Sequence, residues 1–171
     1  QEFTSSEHAS SMGGSQVFID PYVNYSVKDL LRSVIMASAN DASVVLAEGI
    51  CGTESEFVNL MNDTAKNLGM ENTLYVNSTG LPAPEQYSTA YDCALLLSNL
   101  LKYDDYHKFS TVWIDSLTHP SGRKTELVNT NKLIRYYDGC DSGKTGSTSE
   151  AGYCLTSSAK RNNMRLISVV I

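Results

Sequence analysis

The sequence predicts an α+β fold, and three observations carry that prediction. Capped segments with helical spacing of apolar residues fill roughly the first two thirds of the chain. From about Val112 onward the pattern turns to strands. The two classes are segregated along the chain, helices first and strands later, without the alternation that marks βαβ units.

Each element has a local reason. Ser26 is a good N-cap, with Asp29 placed to answer it three residues on, and Leu30, Leu31, Val34 and Ile35 then form an apolar face. Ala42 to Ile50 continues helically and stops at Gly52. Thr53 and Glu56 make a capping box for a helix carrying Phe57, Leu60, Met61, Ala65 and Leu68, and Gly69 ends it. Ser88 or Thr89 starts the next helix, through Asp92, Leu95, Leu96, Leu100 and Leu101. Lys124 to Val128 alternates as a strand should. The block after Gly152 reads as a hairpin turning at Arg161-Asn162-Asn163, because asparagine tolerates positive φ. Leu166 to Ile171 reads as a buried strand with no turn residue after it, and Gln1 to Ser15 is polar and small with no signal peptide. From this the chain is expected to be part of a larger domain, truncated at both ends. There are no internal repeats and no linker long enough to divide it.

The bulk numbers narrow the function. The chain has 171 residues, about one domain's worth. Its net charge of −6, from 19 acidic and 13 basic residues, argues against nucleic acid as a partner, since phosphate binding needs a basic face. No apolar run approaches the roughly 20 residues of a spanning helix. The four cysteines (Cys51, Cys93, Cys140, Cys154) form no C-x-x-C pair, and the histidines (His8, His107, His119) are scattered, so no metal or cofactor is expected. The thiols are read as buried small hydrophobes. A Cys140–Cys154 crosslink is the alternative in an oxidising compartment.

Two short motifs bear chemistry. Lys144-Thr145-Gly146 puts a cation, a hydroxyl and a residue without a side chain in a row, which suits a strand edge lining an acyl-transfer site. Ser38-Ala39-Asn40 offers a hydroxyl and an amide from a break between helices, although local backbone capping would use the same residues. Alone, a K-T-G arises by chance in about 3% of chains this long. Gly143-Lys144-Thr145 also looks like the end of a P-loop. The required glycine, however, falls on Asp138 instead of Gly139, and a strand-like stretch follows instead of a helix.

The two motifs, with their surroundings, resemble one family. Ser38-Ala39-Asn40-Asp41-Ala42 is similar to the second motif of serine D-alanyl-D-alanine carboxypeptidases, the low-molecular-mass penicillin-binding proteins of the β-lactamase/transpeptidase-like superfamily. The run from Lys144 to Cys154 resembles their K-T-G strand and the turn beyond it. His8-Ala9-Ser10, Gly13-Gly14-Ser15, Asn77 to Leu81, Tyr87 to Asp92, Asn129-Thr130-Asn131 and Met164 to Val170 are further segments in the family's order. The resemblance spans essentially the whole chain. It implies a helical cluster packed on an antiparallel sheet.

It also implies a mechanism. An S-x-x-K helix supplies the attacking serine and the lysine that takes its proton. Ser38 relays protons to the departing D-alanine, and Asn40 hydrogen-bonds the substrate peptide. Lys144 keeps the site electropositive and, with Thr145, binds the terminal carboxylate. Gly146 lets the substrate approach, and the Ser147 N–H is one oxyanion donor. The implied substrate is a peptidoglycan stem peptide ending in D-Ala-D-Ala, with β-lactams as inhibitors. The implied location is the bacterial cell envelope, at the outer face of the cytoplasmic membrane, with the full-length protein membrane-associated.

The chain departs from the pattern in two ways. No S-x-x-K precedes Ser38. The two such strings present, Ser121 to Lys124 and Ser157 to Lys160, follow it and lie in turn or strand sequence, where residues three apart point to opposite faces. The usual D-G-x-K is here Asp141-Ser142-Gly143-Lys144, with the glycine displaced by one. Residues 1–171 are thus expected to be a partial catalytic domain, inactive alone, lacking the nucleophile helix, the last strands and the C-terminal domain, with an exposed sheet edge prone to self-association. A non-catalytic module binding peptidoglycan or β-lactams is the main alternative. A β-lactamase is the other, weakened by the lack of an E-x-x-L-N-like segment between Thr53 and Asn131.

Overall fold

A computed structural model describes residues 1–171. In chain order the elements are β1 (Glu2–Thr4), α1 (Glu7–Ser10), β2 (Asn24–Ser26), α2 (Val27–Ala37), α3 (Asn40–Cys51), α4 (Glu54–Asn67), α5 (Ala90–Leu100), α6 (Asp104–Ser110), β3 (Ile114–Thr118), β4 (Lys124–Val128), α7 (Leu133–Tyr136), β5 (Cys140–Thr148), β6 (Gly152–Arg161) and β7 (Met164–Val170). The strands form three antiparallel groups: β1–β2, β3–β4 and β5–β6–β7.

The helix starts follow from their caps. Ser26, Thr53 and Thr89 each accept a hydrogen bond from the backbone N–H three residues on, at 3.0, 3.2 and 3.1 Å. Each occupies one of the four donors a helix N-terminus leaves unpaired. Helix α3 starts differently. Ala39 caps it with no side-chain bond, and Asn40 N–H donates to the Ser15 carbonyl at 2.8 Å.

Helix α3 is the centre of the core. Ala42, Val44, Val45, Leu46 and Ala47 are buried, packed with Leu30 and Met36 of α2, Tyr25 of β2, Val17, and Leu117 and Leu127 of the β3–β4 hairpin. That hairpin is pinned by a buried histidine. His119 Nδ1 lies 2.9 Å from Tyr25 Oη and its Nε2 2.9 Å from Thr125 Oγ1. Burial, with Arg123 nearby, holds the His119 pKa below its ordinary value, which favours the neutral ring this pairing requires.

Lys144-Thr145-Gly146 lies on a strand as expected, inside β5, which runs on through Ser147 to Thr148 before the turn. One expectation needs correction. The cysteines are all free and only partly buried, and Cys140 and Cys154 sit at different registers, opposite Ala159 and Gly146. The short elements β1, α1, β2, α6 and α7 carry no sequence signal of their own. The Arg161–Asn163 turn is as expected, with Asn162 and Asn163 both at positive φ (47° and 62°) between β6 and β7.

Candidate functional site

The site joins two supports, the corner between α2 and α3 and the outer strand β5. Helix α2 stops at Ala37 because Ser38 turns left-handed, with φ 59° and ψ 35°. A non-glycine residue held there is strained by roughly 1 kcal/mol or more, and such residues cluster at functional sites. Asp41 fixes the corner from beneath. Its buried carboxylate accepts from Val17 N–H at 3.2 Å, Ile19 N–H at 3.0 Å and Ala42 N–H at 2.9 Å. The strap before β2 is thereby tied to the first turn of α3. Asn40 is also buried, and its Nδ2 donates to the Gly13 carbonyl at 2.8 Å.

Strand β5 brings Lys144 to that corner. Lys144 Nζ donates to Ser38 Oγ at 2.6 Å and to the Thr145 carbonyl at 2.7 Å. No carboxylate pairs with the ammonium, and burial pushes its pKa down to about 8. Lys144 is therefore a cation at neutral pH that gives up its proton more readily than an ordinary lysine. Thr145 Oγ1 donates to Thr130 Oγ1 at 2.7 Å. Gly146 and Ser147 are exposed, on the strand that closes one side of the three-stranded sheet.

The segment Asn129-Thr130-Asn131 holds the two supports in register. Thr130 N–H donates to the carbonyl of Met36, two residues before Ser38. Asn129 Nδ2 donates to the carbonyls of Ser110 and Val112 at 3.1 and 3.0 Å. Asn131 Nδ2 donates to the Ser142 carbonyl at 3.3 Å, on β5 two residues before Lys144. Gly143 is part of this clamp. It sits at φ 149°, and a Cβ there would lie 2.4 Å from the Thr156 carbonyl oxygen and 2.6 Å from Asn131 Nδ2. The glycine displaced by one position thus fills the place where Asn131 and β6 come closest.

The structure therefore brings Ser38, Lys144 and Thr145 together, with Asn40 on the first turn of α3 facing the Gly13 segment. Sequence reasoning assigned no role to Asp41, Thr130, Asn131 or Gly143. The sequence marks Asn129-Thr130-Asn131 only as a segment in the family's order, with no role attached to it. The two downstream S-x-x-K strings do not form a pair: Ser157 is buried against Asn131 and Ser142, while Lys160 is exposed. A concavity of about 770 Å³ is lined by Leu133, Tyr137, Met164 and Leu166 among others and includes none of Ser38, Asn40 or Lys144 to Ser147.

The chain is similar to known proteins along its whole length. The family model described as D-alanyl-D-alanine carboxypeptidase matches residues 1–171. The chain is 52% identical over 165 residues to D-alanyl-D-alanine carboxypeptidase DacF of Bacillus subtilis, covering 96% of this chain and 42% of that protein. It is 40% identical over 163 residues to DacC of Escherichia coli, covering 93% and 39%. Among solved structures, penicillin-binding protein 5 of Haemophilus influenzae superposes with a TM-score of 0.91 at 36% identity, over 100% of this chain and 50% of that one. The DacD carboxypeptidase of Francisella tularensis superposes at 0.87 and 34% identity, over 99% and 53%. The chain spans about two fifths of the length of these curated relatives. With a family model matched from end to end and this fold around Ser38 and Lys144, the chain belongs to the D-alanyl-D-alanine carboxypeptidase family.

Proposed function

We propose that this chain is the substrate-binding and proton-handling part of a serine D-alanyl-D-alanine carboxypeptidase of the bacterial cell envelope. The observation that carries the reading is the 2.6 Å hydrogen bond between Lys144 Nζ and Ser38 Oγ, which joins the helical corner to the strand edge. In this reading the stem peptide lies along β5. Its terminal carboxylate meets Thr145 and Lys144, and its scissile carbonyl lies near the Ser147 N–H, one donor of the oxyanion hole. A serine from an S-x-x-K helix outside these 171 residues attacks that carbonyl. The C–N bond breaks as D-alanine leaves with a proton relayed through Ser38, and water then hydrolyses the acyl-enzyme. β-Lactams enter the same site and acylate the same serine. The full-length protein works at the outer face of the cytoplasmic membrane. Within this chain no helix is long and apolar enough to cross a membrane.

A fluorescent penicillin tests the reading. No serine in the chain has a lysine one helical turn on, so the 171-residue chain is expected to take no label that survives denaturation. The longer protein carrying it with an S-x-x-K helix is expected to be labelled and to release D-alanine from a D-Ala-D-Ala peptide. Label on the 171-residue chain would overturn the placement of the nucleophile. A longer protein that binds the peptide without label or release would be a non-catalytic binding module.

A further inference from the structure

We propose that Glu54 is a positioning residue for Asn40: it latches the loop from Asn77 to Leu81 onto the helical side of the cleft and so keeps the Asn40 amide set for the substrate. The inference rests on the carboxypeptidase reading above.

No backbone–backbone hydrogen bond involves residues 77–81. The loop keeps its shape through side chains. Asn77 Oδ1 accepts from Gly80 N–H at 2.7 Å, and Asn77 Nδ2 and Gln86 Nε2 both donate to the Leu81 carbonyl, at 2.8 and 3.0 Å. Its attachment to the helices falls instead on Ser78. Ser78 N–H and Oγ both donate to Glu54 Oε1, at 3.0 and 2.7 Å, and the Ser78 carbonyl accepts from Ser43 Oγ of α3 at 2.7 Å. The other Glu54 oxygen, Oε2, lies 3.1 Å from His8 Nε2 of α1. Burial works against the carboxylate's charge, but the Ser78 and His8 hydrogen bonds outweigh it and hold the Glu54 pKa below its ordinary value. One carboxylate in the first turn of α4 thus joins α1 to a loop about 70 residues further along the chain.

Those two segments meet at Asn40. Gly13 and Gly14 follow α1, and Asn40 Nδ2 donates to the Gly13 carbonyl at 2.8 Å. A Cβ on Gly14 would lie 2.7 Å from Asn40 Nδ2 and 3.5 Å from Leu81 Cδ2, so Leu81 closes over the same spot from the loop side. With Nδ2 used on Gly13, Oδ1 is the atom Asn40 has left to accept from a substrate N–H. A loop with no backbone pairing opens locally at little cost once an attachment is lost. Leu81 then leaves Gly14, and the Gly13 carbonyl that orients the amide gains freedom. Glu54 acts only through this loop and touches no reacting atom.

The test uses the longer protein with its S-x-x-K helix. Glu54→Ala removes both oxygens, while Glu54→Gln keeps an acceptor for Ser78. Glu54→Ala is expected to raise KM for a D-Ala-D-Ala peptide about fivefold and to leave kcat within about twofold. Glu54→Gln is expected to stay within about twofold of wild type in both. Amide hydrogen exchange is expected to quicken over residues 77–81 in Glu54→Ala and not in Glu54→Gln. Ser43→Ala, which releases the Ser78 carbonyl, is expected to raise KM in the same direction, and it decides the matter should Glu54→Ala not fold. An unchanged KM in either alanine variant would overturn the proposal. So would a Glu54→Gln protein as impaired as Glu54→Ala, or a loss confined to kcat. A wild type that neither takes penicillin nor cleaves the peptide would defeat the carboxypeptidase reading separately. Exchange over residues 77–81 would then still decide the latch, because equal rates in wild type and Glu54→Ala overturn it.

Discussion

The two supports of the site are built by different physics. The α2–α3 corner is held by burial. Helix α3 is buried along most of its first two turns, from Asn40 to Ala47, and the one charge beneath the corner, Asp41, is satisfied by three backbone N–H groups. The β5 side is held by polar side chains on a sheet that is open on one face, where Met164, Leu166 and Val170 are exposed. A mutation under the corner therefore acts on the stability of the whole molecule. A mutation under β5 acts first on the position of Lys144 relative to Ser38. The difference shows that a site can take its rigidity from the core on one side and from a few hydrogen bonds on the other.

The largest expected effect lies under the corner. Asp41→Ala leaves the Val17, Ile19 and Ala42 N–H groups without their carboxylate in a buried place, and is expected to cost about 3–5 kcal/mol. Urea unfolding measures it. A loss below about 1 kcal/mol would mean that the strap and α3 are joined by packing alone, and the comparison between the two sides would fail.

The next effect lies under β5. Gly143→Ala adds a Cβ at φ 149°, 2.4 Å from a backbone oxygen. Backbone oxygens in a paired strand yield little, so about 1–3 kcal/mol of strain is expected. Because Gly143 precedes Lys144, the longer protein is expected to lose penicillin acylation rate by more than its stability loss explains. Equal acylation by Gly143→Ala and wild type at a temperature where both are folded would show that the clamp does not set the position of Lys144.

How much of this the sequence reveals follows the same division. Helices α2, α4 and α5 are legible because a capping Ser or Thr and an apolar period coincide at each start. Ser38, Asn40 and Lys144 are legible because they fall in short motifs with family order. Helix α6 is not: Tyr106 and Phe109 are its buried anchors, and one turn of spacing is too little to show a period. The Asn129–Asn131 segment falls in the family's order, but its role as a clamp is not legible, for a different reason. Its work is done by side-chain amides on carbonyls far away in sequence, such as Asn131 on Ser142 and Asn129 on Ser110, and no local rule marks such pairs. The position of Gly143 looked like a flaw in a motif until its neighbours were in place.

The smallest effect sharpens the comparison at Lys144, where the two sides meet. Its folded pKa is about 8 against an ordinary value of 10.5. Between those two values the unfolded chain keeps a proton that the folded chain has given up, so stability rises with pH through that window. Below about pH 8 the cost of holding the buried cation is fully present, and the curve is flat in this group. Lys144 is only partly buried by exposed area, so solvent screening reduces the gain to on the order of 1 kcal/mol. Tyr75 works in the opposite sense. Burial raises its pKa to about 12, and that contribution is lost only above about pH 10, leaving pH 8 to 10 clear. Urea unfolding at pH 8 and pH 10, on wild type and on Lys144→Met, isolates the lysine. The wild type is expected to gain stability relative to Lys144→Met as pH rises. Parallel curves for the two proteins would mean that Ser38 and solvent already compensate the charge, and that the helical corner costs the strand-borne cation nothing.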